Sequence, residues 1–300
     1  MGLIDFILNL AGLLLWLNWR AAKEDPLGKP TPATLIGTLR RAEPGNARRW
    51  HLPAALGGLL LVRALFYWQI GSALKPVWAG TLDLGVIAPS FISSSFGRIL
   101  LFSIFSFARM FGIVYLWLLL LSILGGPMPT HRLVKMQLGE IDGWPRWIKF
   151  LLPLAVIALL WWLASWMLAW LHVIPPPVSP GRRIAGALVV ALGSCLVWKF
   201  LIVALLALHL LNSYIYFGRH PFWNYVNAAA KKLLRPLEKI PLRTGKVDFA
   251  PVVGIALVFL FAHCLQDGIG LIPRAGESGN PLPPLVNIPG LTDIYRWLSH

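Results

Sequence analysis

The chain has 300 residues, of which 57% are hydrophobic and 13% charged, and its formal net charge is +15. A soluble domain carries roughly 25% charged residues, and several apolar runs here approach or exceed the ~18 residues that span a bilayer core. The composition therefore excludes an ordinary soluble protein and predicts an all-α, polytopic transmembrane bundle of about six spans.

The first apolar segment covers about 2–19. It opens with Asp5 and closes against Arg20, the charge order of an N-out anchor rather than of a cleavable signal. Phe6 also breaks the myristoylation pattern. Asn9 and Asn18 predict that this helix packs against others. A polar linker from Arg20 to His51 carries seven Lys or Arg, and Pro26, Pro30 and Pro32 keep its first half from forming one helix. Segment two, about 52–74, contains Arg63. The loop that follows, to about Gly97, is apolar but broken by Pro89 and serines, and reads as an interfacial or re-entrant piece.

Segment three is about 98–124 and segment four about 148–172. Segment five, about 184–217, is too long for one span. At ~1.5 Å per residue it would reach ~51 Å against a ~30 Å core. It must tilt, break near Gly193 or project from the membrane. Segment six is about 249–271, and a Pro-rich tail ends in a short amphipathic piece near Leu291 to Leu298. Six spans with both ends outside leave eighteen Lys or Arg in the inside loops and five outside, the expected asymmetry for cytoplasmic loops. Basic residues that partition by membrane side disfavour nucleic acid and favour anionic headgroups as their partner.

Residues 222–240 form a basic amphipathic stretch. At helical spacing Lys231, Lys232, Arg235, Glu238 and Lys239 share one arc, and Phe222, Tyr225, Val226, Leu233, Leu237 and Ile240 the other. Such a helix lies flat in the interface with its cations towards headgroups. Pro236 predicts a kink or end. Two readings stay open: a surface helix that only fixes topology, or a docking face for a soluble partner or lipid. Arg243 joins the candidate binding cations Lys231, Lys232, Arg235 and Lys239. Asp248, just before segment six, suits a helix cap with Pro251 in the first turn, or else a role in ion or partner binding. Asp142-Gly-Trp-Pro145 and Asp248-Phe-Ala-Pro251 stand 106 residues apart, and each closes a basic hairpin between two apolar helices. This reads as a degenerate repeat, with chance resemblance as the alternative.

Leu234-Arg-Pro-Leu-Glu-Lys-Ile-Pro241 and Gly245-Lys-Val-Asp-Phe-Ala-Pro251, followed by an apolar helix, resemble the YggT family. Its members carry an Arg-Pro-basic-Ile-Pro element and then Gly-x-x-Asp-x-Ser-Pro, where this chain has Ala250. His220-Pro221 resembles the family's Asn-Pro, so the motif positions are His220, Pro221, Arg235, Pro236, Pro241, Asp248 and Pro251. The match covers about 195–265. With it the chain divides into an N-terminal membrane region (1–97), a degenerate first repeat (98–172), a YggT-like repeat (182–271) and an extracytoplasmic tail (272–300). The resemblance implies an integral protein of the bacterial inner membrane, in a family linked to osmotic or potassium stress, to division and envelope organisation, and in plastid relatives to assembly of membrane cytochrome complexes. It assigns no catalytic residue.

No GxxxxGK[ST], HExxH, GxSxG or paired intramembrane acids occur, so no enzyme, cofactor or metal is expected. Cys195 and Cys264 read as inert buried thiols. His209 and His263 stand at different depths, which disfavours a shared haem and favours hydrogen bonds between helices. Arg63, Arg109 and Lys199 lie within membrane segments, where charge is costly. They are expected to snorkel or pair with carbonyls, with an anion or lipid-headgroup pocket as the alternative. The expected function is a non-enzymatic scaffold or assembly factor that packs against a membrane-protein partner or its own copies; the alternative is ion or small-solute transport.

Overall fold

The computed structural model describes residues 2–24, 51–75, 77–125, 134, 137–175, 179–215, 221–237, 243–244, 247–271 and 286–299. The chain forms two compact units, Met1–Leu82 with Ser90–Gly112, and Asp83–Pro89 with Ile113–His300. Among the described residues six segments are long and apolar enough to cross a membrane. Leu159, Leu160, Leu163 and Phe261 are exposed along them. A water-soluble monomer rarely shows contiguous apolar surface of that kind, whereas lipid covers it at no cost. The chain is a multi-pass membrane protein.

In the first unit, α1 (Gly2–Glu24) pairs with α2 (His51–Ala73), and the first part of α3 (Phe96–Leu124) completes the core. Polar Asn9 is buried here, as its place in an apolar helix predicts. The apolar loop before α3, expected as an interfacial or re-entrant piece, holds no helix among its described residues. It forms an antiparallel hairpin of β1 (Ala79–Thr81) and β2 (Ser90–Ile92), in which Gly80 faces Phe91. Phe91 is fully buried against Phe102 and Phe105. Alternation across a strand lets one aromatic face the core while its neighbours Ser90 and Ile92 stay outside.

The second unit contains the rest of α3, then a 3-10 turn (Gly139–Gly143) and α4 (Arg146–Trp170). The overlong fifth segment breaks into α5 (Pro180–Cys195) and α6 (Trp198–Tyr214). The amides of Leu196 and Val197 bond the carbonyls of Gly193 and Ser194, three residues back, which tightens the turn. Across the break, α5 packs on α4 while α6 packs on α8 (Ala250–Asp267). Two indoles from opposite sides brace this point: Trp117 Nε1 donates to Val197 O at 3.4 Å, and Trp198 Nε1 donates to Leu116 O at 2.8 Å.

The loop Asp83–Pro89 is held to the same unit. Gln266 Nε2 donates to Gly85 O at 2.8 Å, and Val86 sits directly over Gly193, so that a Cβ at position 193 would overlap its side chain. Between α6 and α8 lies α7 (Pro221–Leu234), followed by a two-residue ladder of β3 (Arg243–Thr244) with β4 (Val247–Asp248). The helix ends ahead of Pro236, as that proline requires. Beyond α8, β5 (Gly268–Leu271) pairs antiparallel with β6 (Val286–Pro289), and α9 (Leu291–Ser299) lays Leu291 and Leu298 against Val86 and Val189.

The brace predicts a modest effect for Trp198→Phe, which keeps the ring but removes the bond to Leu116. The expected loss is about 1 kcal/mol, readable as a lower denaturation midpoint in detergent with helix content unchanged.

Candidate functional site

The charged and polar side chains fall into three settings. The first is α7, whose apolar face is not given to lipid. Tyr225, Val226 and Ala229 are buried with Leu120, Leu124 and Leu205, and Ala230 and Leu234 with Leu206. Where a helix lying in the interface would turn this side to lipid, the bundle covers it instead: α3 and α6 offer leucines, and α8 offers Ala250 and Ile255. Tyr225 Oη donates to Leu121 O at 3.1 Å, and burial pushes its phenol up to about 12, so the proton stays in place.

The basic side of α7 divides by role. Lys232 Nζ donates to Leu124 O and Gly125 O. Those carbonyls close α3, where free acceptors and the negative end of the helix dipole meet a cation. Lys232 thus joins two helices. Lys231, Lys232 and Arg235 are all exposed, so Lys232 differs from its neighbours in its bonds to α3 and not in burial. For Arg243 and Asp248 the backbone alone is described, as partners in the β3–β4 ladder. The helix start expected at Asp248 falls one residue later: the cap position of α8 is Phe249, with no side-chain bond, and buried Pro251 occupies the first turn. Asp248 is extended in the ladder and cannot also take the cap. Pro221 opens α7 and Pro236 stands in the exposed turn after it. His220, Lys239 and Pro241 lie outside the described residues, as do the linker cations from Lys29 to Arg49.

The second setting is a buried network in the first unit. Arg63 is 3% exposed. It neither snorkels nor relies on carbonyls. Its Nη2 donates to Asp5 Oδ1 at 2.8 Å and to Ser106 Oγ at 2.9 Å, and its Nη1 donates to Asn9 Oδ1 at 2.7 Å. Tyr67 Oη donates to the same Asp5 oxygen at 2.7 Å, and Asn9 Nδ2 donates to Ser106 Oγ at 2.9 Å. Phe102 and Tyr67 place their rings 5.4 and 5.8 Å from the guanidinium carbon. One residue from α2 thus ties α1 to α3. The acid that neutralises it was legible only as a terminal charge. The signal that could have found it is the pair of i, i+4 spacings, Asp5 with Asn9 and Arg63 with Tyr67, which place polar groups on one face of each helix.

The third setting lies in the second unit, around Lys149 in the first turn of α4. That lysine is 5% exposed. Lys149 Nζ donates to Ser122 Oγ at 2.8 Å and to the Asp142 carbonyl, with Asp142 Oδ1 at 3.8 Å. Ser122 Oγ donates to that carboxylate. The trio joins the end of α3, the 3-10 turn and the start of α4. At the offset of 106 its counterparts would be Ala228 and Ile255, so the second helix pair does not repeat it.

Arg109 is half-buried, and Lys199 is half-buried with Nζ 5.3 Å from the Phe200 ring. His209 Nδ1 lies 2.8 Å from Asn227 Oδ1, a bond between α6 and α7. His263 does not reach another helix: it pairs with Asp267 on its own, at 2.8 Å and largely exposed. Cys195 and Cys264 are both free thiols.

Removing Arg63 should leave the Asp5 carboxylate without its cation. Arg63→Met is expected to cost about 3 kcal/mol, and the Asp5→Asn, Arg63→Met double variant to recover most of it, as read by reversible unfolding in mixed micelles. The two α7 lysines should separate in the same assay. Lys232→Ala is expected to lose about 1 kcal/mol, and Lys231→Ala to stay within about 0.5 kcal/mol of the parent.

Compared with models of known families, with curated proteins and with solved structures, the chain finds no match in any of the three.

Proposed function

We propose that this protein is a non-enzymatic scaffold or assembly factor of a membrane complex, of the YggT type, in a bacterial inner membrane. In this reading both termini face away from the cytoplasm, and the α7 hairpin presents its cations to a partner docked at the anionic cytoplasmic leaflet. The observation that carries it is the division of labour among the cations. Arg63, Lys149 and Lys232 are engaged in joining helices, while Lys231 and Arg235 project from a helix whose apolar face is already used. A helix anchored from behind and charged in front holds its cations in fixed places. That arrangement suits recognition of an acidic surface, with each cation near anionic lipid adding about 1 kcal/mol. The asymmetric distribution of basic loops supports the orientation.

Mild detergent extraction from native membranes should co-purify a partner membrane protein in fixed ratio, and the Lys231→Glu, Arg235→Glu double variant should lose it without loss of helix content. A single cysteine placed at position 231 in a cysteine-free background should react with an impermeant maleimide only after the inner membrane is opened. Labelling from intact cells, or the lack of any stable partner, would sink the proposal. Ion flux in proteoliposomes that Asp248→Ala abolishes would favour transport instead.

A further inference from the structure

The second unit holds a cavity of about 320 Å³ whose charged lining is wholly cationic. It lies where α4 ends and α5 begins, roofed by α9. Arg182 and Arg183 reach it from the first turns of α5, and Arg296 from α9. Arg183 stacks on Trp166, 4.0 Å from the ring, and its Nε and Nη1 are buried with no hydrogen-bond partner. Arg182 sits 5.5 Å from the Trp297 ring. Arg296 is largely exposed and pairs with Asp293 at 3.7 Å, an acid that does not line the cavity, so the buried charge is that of Arg183. Two guanidinium nitrogens removed from water without a counter-charge or hydrogen bond are costly, so the cavity calls for an anion.

The rest of the lining narrows the choice. Tyr295 supplies a phenol whose pKa is raised, chiefly by burial and against the hydrogen bond from Trp161, so it remains a donor. The hydroxyls of Ser165 and Thr292 also line the cavity but already donate to Trp162 O and Gln266 O, while Val86, Ile174 and Leu298 make an apolar wall. Planar forks that bond oxygen pairs, together with a phenol donor, are the chemistry of phosphate recognition. The apolar wall and the position at the end of two spanning helices place that chemistry at the height of lipid headgroups.

We propose that this cavity binds a phosphate anion, held by Arg182, Arg183 and Arg296 with Tyr295 as a neutral donor. Phosphodiester lipid and free inorganic phosphate share the chemistry, and the inference does not depend on the docking role of α7 or on which side of the membrane the cavity faces.

The test is native mass spectrometry of the full-length protein, titrated separately with phosphatidylglycerol, phosphatidylcholine and inorganic phosphate. The anionic lipid should bind, and the Arg182→Gln, Arg183→Gln variant should hold it roughly 10- to 100-fold more weakly, the loss expected for charge-assisted bonds. Binding of inorganic phosphate alone, lost in the same variant, also supports the site and names the free anion as its occupant. Should that variant fail to fold, Gly186→Leu decides. A Cβ at 186 meets only Tyr295, at 3.6 Å, so the leucine fills the cavity with every arginine left in place, and binding should fall as much. Anion binding unchanged in the folded arginine variant or in Gly186→Leu, equal affinity for the zwitterionic lipid, or no binding of either phosphate species would overturn the assignment.

Discussion

Hydrocarbon offers no water to an exposed amide or carbonyl, and the second unit depends on how that constraint is met where its longest helix breaks. A continuous helix of this length would overrun the bilayer. Interrupting it leaves carbonyls without their helical donors. Here the interruption closes on itself through three-residue hydrogen bonds, and indoles contributed by α3 and α6 bond across it. With the backbone satisfied, the two halves take different partners. α5 lies on α4 and α6 on α8, so one apolar segment serves both ends of the unit.

The same constraint governs the charges. A cation within the membrane is tolerated when its bonds are complete, and the described network around Arg63 draws on three helices to come near that state. Lys149 reaches it with a carboxylate, a hydroxyl and a carbonyl where α4 enters the bundle. Both residues act as fasteners between elements far apart in sequence. This explains why counting charged residues by loop describes orientation well but says little about which charges remain available to a ligand. Lys231 and Lys232 are neighbours in sequence and both exposed, yet it is Lys232 whose ammonium closes α3.

Much of the architecture was legible because hydrophobicity over a span-length window depends on local composition alone. The segment boundaries and the short amphipathic piece at 291–298 follow from length and periodicity, whereas length left the fifth segment to tilt, break near Gly193 or project, and Pro236 to mark a kink or an end. What could not be read is whatever depends on a distant partner. Asp5 and Arg63 are 58 positions apart, and no periodicity links them. The amphipathic pattern of α7 shows that it has an apolar side, but not whether lipid or leucines of other helices cover it. The β1–β2 hairpin was missed because a short apolar run with serines fits a strand and a re-entrant piece equally well. The cavity under α9 escaped notice for a related reason: Arg183 and Arg296 are 113 positions apart and meet only through packing.

The close approach of the 83–89 loop to α5 has an evolutionary corollary. Position 193 admits no side chain while Val86 lies against it, and a Cβ at Gly85 would stand 3.0 Å from the Gly193 carbonyl oxygen. Substitutions at 85, 86 and 193 are therefore not independent. Lineages that enlarge one of these positions must shrink or shift another, and the covariation of the 83–89 loop with the last turn of α5 would trace this packing through diverging sequences.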